Sequence, residues 1–181
     1  MLSRAGFVVR AVAADLDEGA LPGERADALV ERLARAKAAA VAGRAAPGEI
    51  IVAGDTVVLL DGEVLGKPLD DADALRMLRA LSGRSHDVLG GWCVRRGVRE
   101  ISGVARTKVR FRALAEREIA EYIATGEPRD KAGAYGLQGR GGALVAAVEG
   151  SRENVVGMPL EEVRGAIAEI GGEGADPSAA P

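Results

Sequence analysis

The chain has 181 residues, and its 24 Lys and Arg against 27 Asp and Glu leave a net charge of −3. That length fits one domain, or one split into two lobes, and the weak charge offers no overall field for nucleic acid or an anionic membrane. No apolar run approaches the roughly 18 residues of a membrane span, and MLSRAGFVVRA shows no signal-peptide core before Asp15. The single cysteine, Cys93, excludes an internal disulfide and a multi-cysteine zinc site and reads as a buried small hydrophobe. The expected setting is reducing and cytoplasmic.

In chain order, residues 7–12 (FVVRAV) predict a short strand that runs into the acidic loop ADLDE. LPGERADALVERLARAKAAAVAG predicts a helix, rich in Ala and Leu, with Gly43 where a C-terminal cap belongs. GEIIVAGDTVVLLDGEVLG begins as a buried strand, and Asp61-Gly62 between apolar residues predicts a hairpin turn. DDADALRMLRALSG predicts a second helix with Asp at its start, Leu75, Leu78 and Leu81 on one side, and Gly83 after it. HDVLGGWCVRRGVREISGV predicts two strands around a charged turn. In VARTKVRFRAL, Thr107, Val109 and Phe111 alternate with Arg106, Lys108, Arg110 and Arg112. That basic row reads as a solvated sheet face, or else as a polyanion surface. A third helix follows at LAEREIAEYIATG, then a Gly-rich segment, a strand at ALVAAVEG and a last helix from about Pro159. The Pro/Gly-rich end, residues 172–181, is expected to be a disordered tail behind a single domain of residues 1–171. Strands and helices alternate irregularly with hairpins, which predicts an α/β or α+β domain on a mixed sheet.

Several residues stand out chemically. Asp55 follows a run of apolar residues, at what reads as a strand end. A carboxylate there either holds a divalent ion or activates water, or it makes a local turn bond. Lys67, in GKP, fails the P-loop pattern, because a spacer is missing and Pro replaces the Ser or Thr; a Walker-type NTPase is excluded. It remains a point charge for phosphate or a solvated lysine. Lys37 lies on the apolar stripe of its helix, in register with Leu33 and Val30, so it must snorkel outward or reach an anion. Glu18 closes the acidic loop and is a candidate metal ligand. KAGAYGLQG, residues 131–139, offers backbone that a ligand can approach closely, and Gln138 can read the edge of a base. His86, without evident partners, reads as structural or exposed. An acid, several lysines, a base reader and Gly-rich backbone are the parts for metal-assisted cleavage of a nucleotide's phosphate chain.

With those residues in hand, GDTVVLLDGEVLGKP, LSGRSHDV, IAEYIATGEPRDKAGAYGLQG and VEGSRENVVGMPL, in that order, resemble the Maf-like nucleotide pyrophosphatases. The likeness runs from about Val8 to Ile170. It implies an α/β fold with an elongated mixed sheet, flanking helices and two lobes around a cleft, similar to the inosine triphosphate pyrophosphatases. It also implies hydrolysis of nucleoside triphosphates to the monophosphate and pyrophosphate with a divalent cation, Mg²⁺ or Mn²⁺. DKAGAYGLQG resembles the branch acting on dTTP and UTP, including modified pyrimidine forms. By this resemblance Asp55 is the proton acceptor, Thr56 and Gln138 bear on substrate choice, Lys37 and Lys67 bind substrate, and Glu18 is the candidate metal ligand. A homodimer is also implied.

One departure stands against this likeness. The family's usual first strand and its Ser-x-Ser-Pro-Arg-Arg-like phosphate grip are not matched, and Arg4 is not the motif arginine. Either the start was assigned too late, or the chain is short and weakly active. The alternative reading is therefore a weak or inactive homologue that senses nucleotides and regulates septum formation. A nucleic-acid binder using the row from Arg106 to Arg112 is disfavoured by the lack of stacking aromatics.

Overall fold

The computed structural model describes residues 1–172; of the expected tail, residues 172–181, Gly172 instead ends the last helix and the rest lies outside the described residues. Five strands form one sheet in the order β2-β1-β3-β4-β5: β1 Ile51–Leu60, β2 Glu63–Leu65, β3 Ser85–Arg96, β4 Arg99–Phe111 and β5 Val145–Glu149. Among the described residues five α-helices accompany it: α1 Ala26–Val41, α2 Asp71–Leu81, α3 Glu116–Ile123, α4 Arg152–Val156 and α5 Leu160–Gly172. The α/β class with flanking helices is as expected. β1 with β2 and β4 with β5 pair antiparallel.

The chain divides into two compact units. The first holds Met1–Asp55, Gly91–Val104 and the described residues from Met158 onward; the second holds Thr56–Gly90 and Ala105–Gly157. In the first, α1 buries Leu29, Val30, Leu33, Ala34 and Ala38 along one stripe. Ala34 and Ala38 pack with Cys93 of β3, buried as expected. The approach is close: a Cβ on Gly91 would lie 2.1 Å from the carbonyl oxygen of Val30, so only glycine admits the helix backbone there. Trp92 and Val94 form a further cluster with Val163, Ala166 and Ile170 of α5.

The second unit has its own core, built from Val58, Leu60 and Leu65 of the hairpin, Met77, Leu78 and Leu81 of α2, Val109 and Phe111 of β4, and Ile119 and Tyr122 of α3. The hairpin turn is as predicted, with Asp61 at φ 51° and Gly62 at φ 88°. Asp70 caps α2 by accepting the Asp73 amide at 2.7 Å, and Gly83 follows at φ 70°. The alternation in β4 also holds. Thr107, Val109 and Phe111 are buried, while Arg106, Lys108 and Arg110 are exposed. The row is a solvated sheet face, and two of its four cations are paired, Arg106 with Asp87 at 2.6 Å and Arg112 with Glu118.

Three local expectations need correction. Residues 7–12 are not a strand; they have no regular structure, and Val8 is fully exposed. A strand needs a neighbour to take its backbone hydrogen bonds, and no described strand pairs with this run. Gly43 is not a C-terminal cap, because α1 passes into a 3-10 turn, Ala42–Arg44, without a left-handed residue. Short α4 was not predicted, although its signals are local: Ser151 Oγ accepts the Asn154 amide at 3.1 Å, and Gly157 ends it at φ 121°.

Candidate active site

In the first unit, three of the predicted residues meet. Lys37 lies on the buried side of α1, one turn beyond Leu33, and its side chain is 19% exposed. It reaches anions rather than snorkelling away from the core. Its Nζ donates to Asp55 Oδ1 at 2.6 Å and lies 2.6 Å from Glu18 Oε1. Burial pulls the Lys37 ammonium down, but the hydrogen bonds and charges of Asp55 and Glu18 outweigh it and raise its pKa above the usual lysine value.

Asp55 sits mid-strand in β1, not at a strand end, and its side chain is 11% exposed. A carboxylate in that place requires a counter-charge, which Lys37 provides. Glu18 is more open, with 47% of its side chain exposed. The loop that carries it is fixed from α1. Arg32 donates to Glu24 through Nε at 2.6 Å and to the carbonyl oxygen of Gly19 through Nη2 at 2.9 Å. Asp17 Oδ1 accepts the Gly19 amide at 2.9 Å.

Two carboxylates converging on one cation form the donor set that a hard divalent ion accepts when phosphate oxygens and water complete its shell. Among the described residues there is no cluster of three or more His, Cys, Asp or Glu that could hold a metal without such help. Glu18 and Asp55 thus fit a cation shared with a phosphorylated ligand. A separate cavity of about 550 Å³ in this unit, lined by residues such as Phe7, Val41, Ile51 and Ile167, contains none of the predicted residues.

In the second unit, Thr56 is partly buried, while Lys67 and Gln138 are exposed. Lys67 follows β2. Its neighbour Gly66 accepts the Gly133 amide at 3.0 Å, which ties the GKP segment to the Gly-rich segment. Lys131 and Asp130 pair at 2.5 Å, and the Asp130 carboxyl is held low by Lys131 first and by Lys67 among the smaller effects. The structure therefore groups Lys67, Lys131 and the chain leading to Gln138.

Tyr135 anchors the same segment. Its hydroxyl meets His86 Nε2 at 2.8 Å, and the rings of His86, Phe111 and Tyr135 pack edge to face. His86 is structural, as one reading held, and it is buried; burial lowers its pKa to about 4. Sequence reasoning missed the Arg32–Glu24 brace, and it missed Glu127, whose carboxylate binds the backbone of the Gly-rich segment. The one local signal for Glu127 is an acid placed between a helix-ending glycine and a glycine-rich run.

The description "Maf-like protein" belongs to the family model that matches residues 1–170. The chain belongs to the Maf-like family. Among its relatives is the dTTP/UTP pyrophosphatase of Anaeromyxobacter dehalogenans strain 2CP-C, 50% identical over 175 residues, covering 94% of this chain and 88% of that protein. The dTTP/UTP pyrophosphatase of Myxococcus xanthus is 55% identical over 150 residues, covering 83% and 76%. That of Geotalea uraniireducens is 49% identical over 175 residues, covering 94% and 89%. Among the described residues of this Maf-like chain, no helix is long and apolar enough to cross a membrane.

Proposed function

We propose that this chain is a nucleoside triphosphate pyrophosphatase that hydrolyses dTTP and UTP to the monophosphate and pyrophosphate. The observation that carries this reading is Lys37 Nζ held 2.6 Å from both Asp55 Oδ1 and Glu18 Oε1, in a chain that matches the Maf-like family over residues 1–170. The names of the similar proteins support the choice of dTTP and UTP.

Asp55 takes a proton from the attacking water. The water oxygen bonds to the α-phosphorus, the bond from that phosphorus to the oxygen bridging to the β-phosphorus breaks, and pyrophosphate leaves with the electron pair. Lys37 and Lys67 bind phosphate oxygens and offset the charge that grows on the leaving group. Thr56 and Gln138 contact the nucleoside, with the amide of Gln138 suited to the donor and acceptor edge of a pyrimidine. Glu18 and Asp55 would hold Mg²⁺ or Mn²⁺, which would neutralise phosphate charge and make the phosphorus more electrophilic.

The test is Asp55→Asn, which keeps the shape and removes the base. We expect pyrophosphate release from dTTP to fall by about 10²–10⁴-fold. A rate near that of the parent protein would overturn the assignment. Chelation should abolish turnover, and added Mg²⁺ or Mn²⁺ should restore it.

A further inference from the structure

Glu127 stands at the start of a 3-10 turn, Glu127–Asp130, directly after Gly126 at φ 74°. Its Oε1 accepts the Tyr122 hydroxyl at 3.0 Å and the Gly141 amide at 2.9 Å, and its Oε2 accepts the Arg140 amide at 3.0 Å. The Tyr122 oxygen in turn accepts the Gly136 amide at 3.2 Å. One carboxylate and one phenol thus hold the backbone on both sides of Gln138, at Gly136 before it and at Arg140 and Gly141 after it.

The glycines of this segment leave room for that arrangement and for little else. A Cβ on Gly139 would lie 2.8 Å from Glu127 Oε2, and Gly139 has φ 86° and ψ −151°, a region open essentially to glycine alone. A Cβ on Gly141 would lie 2.5 Å from both the Gly136 carbonyl oxygen and the Tyr122 hydroxyl. Burial pushes the Glu127 carboxyl up, but the amides of Gly141 and Arg140, the Tyr122 hydroxyl and the charge of Lys131 together hold it below the usual carboxylate range. The carboxylate therefore accepts charge-assisted bonds, about twice as strong as neutral ones.

We propose that Glu127, seconded by Tyr122, is a positioning residue for substrate selection. It does not touch the reacting atoms. It sets the backbone from Gly136 to Gly141, and so the direction in which Gln138 presents its amide to the base. This inference rests on the proposed role of Gln138 in choosing the pyrimidine.

The experiment uses the full chain with Glu127→Ala, Glu127→Gln and Tyr122→Phe. It reads kcat and KM for dTTP, UTP and ATP, equilibrium binding of dTTP, and amide exchange across residues 136–142. Glu127→Ala is expected to raise KM for dTTP and UTP by roughly tenfold or more and to narrow their preference over ATP by a similar factor. At saturation kcat should stay within about threefold of the parent. Glu127→Gln keeps one acceptor oxygen but turns an amide donor toward other donors, so it should fall between parent and Glu127→Ala. If Glu127→Ala fails to fold, the other two variants carry the test.

Unchanged KM and preference alongside faster exchange would show a purely structural role and overturn the proposal. A fall in kcat with KM unchanged would do the same. A parent protein that neither hydrolyses nor binds dTTP or UTP would defeat the substrate reading, and this inference with it. A parent that hydrolyses dTTP, with variants that keep its preference, would defeat this inference alone.

Discussion

The Glu18 loop of the first unit and the Gly-rich segment of the second are both irregular backbone carrying proposed functional side chains, but they are held by different forces. Around Glu18 the binding is electrostatic. Lys37 bridges two carboxylates, one of them 47% exposed, and Arg32 braces the loop through Glu24 and Gly19. Around Gln138 the binding is steric and hydrogen-bonded to backbone, with glycines that admit no Cβ. Charges at a half-open site can exchange one partner for another at modest cost, because water and incoming ions compensate them. A backbone locked by amide bonds and close contacts cannot change shape without losing them together. On the proposed reading, the first region takes ions and phosphates that come and go, and the second presents a fixed shape to the base.

The sharpest way to break this contrast is at Lys37. Lys37→Met leaves Asp55 and Glu18 without their shared cation and should lower dTTP turnover by about 10²–10³-fold. Stability should fall as well, because Asp55, only 11% exposed, loses its counter-charge, whereas Glu18 stays open to water. Urea unfolding beside steady-state kinetics separates the two, and a loss confined to stability would erase the distinction.

Gly141→Ala probes the other region. It forces a methyl against the Gly136 carbonyl and should destabilise the protein by about 1–3 kcal/mol. Equal unfolding midpoints for variant and parent would show that the segment adapts freely. A third test uses the anchor of that segment. His86 has an ordinary pKa of 6.5, lowered in the fold to about 4, so the fold favours its neutral form. Its contribution is complete above pH 6.5 and is lost as pH falls from 6.5 toward about 4, while the unfolded chain takes up a proton that the fold refuses. Over that range the loss amounts to about 3 kcal/mol. His86→Phe should therefore show a flatter stability profile than the parent across the same window, and identical slopes would count against it. The smallest effect is expected at Arg32→Lys, which loses the forked contact to Glu24 and Gly19. Turnover should drop by up to roughly fivefold, in a salt-sensitive manner.

Much of this was legible in the sequence, and where it was, the determinants were local. Asp61-Gly62 announced the hairpin because both turn residues need positive φ. Asp70 announced α2 because its side chain can take an orphan amide. The alternation from Thr107 to Phe111 announced a half-buried strand. Lys37 was conspicuous because a cation on an apolar stripe needs a reason. The proposed site residues Asp55, Lys37 and Glu18 were each visible singly.

The sequence by itself determined the elements with their own caps and periodicities, the residue types suited to phosphate chemistry, and the family. Only the tertiary structure decided that Glu18 and Asp55 share one ammonium, that no described strand pairs with residues 7–12, that Asp55 lies mid-strand, and that Glu127 reaches across to Arg140 and Gly141. The physical reason is common to all four. Pairings between residues far apart in the chain depend on distances that no local pattern encodes, and an exposed apolar run or a lone carboxylate has no fixed meaning until its neighbours are in place.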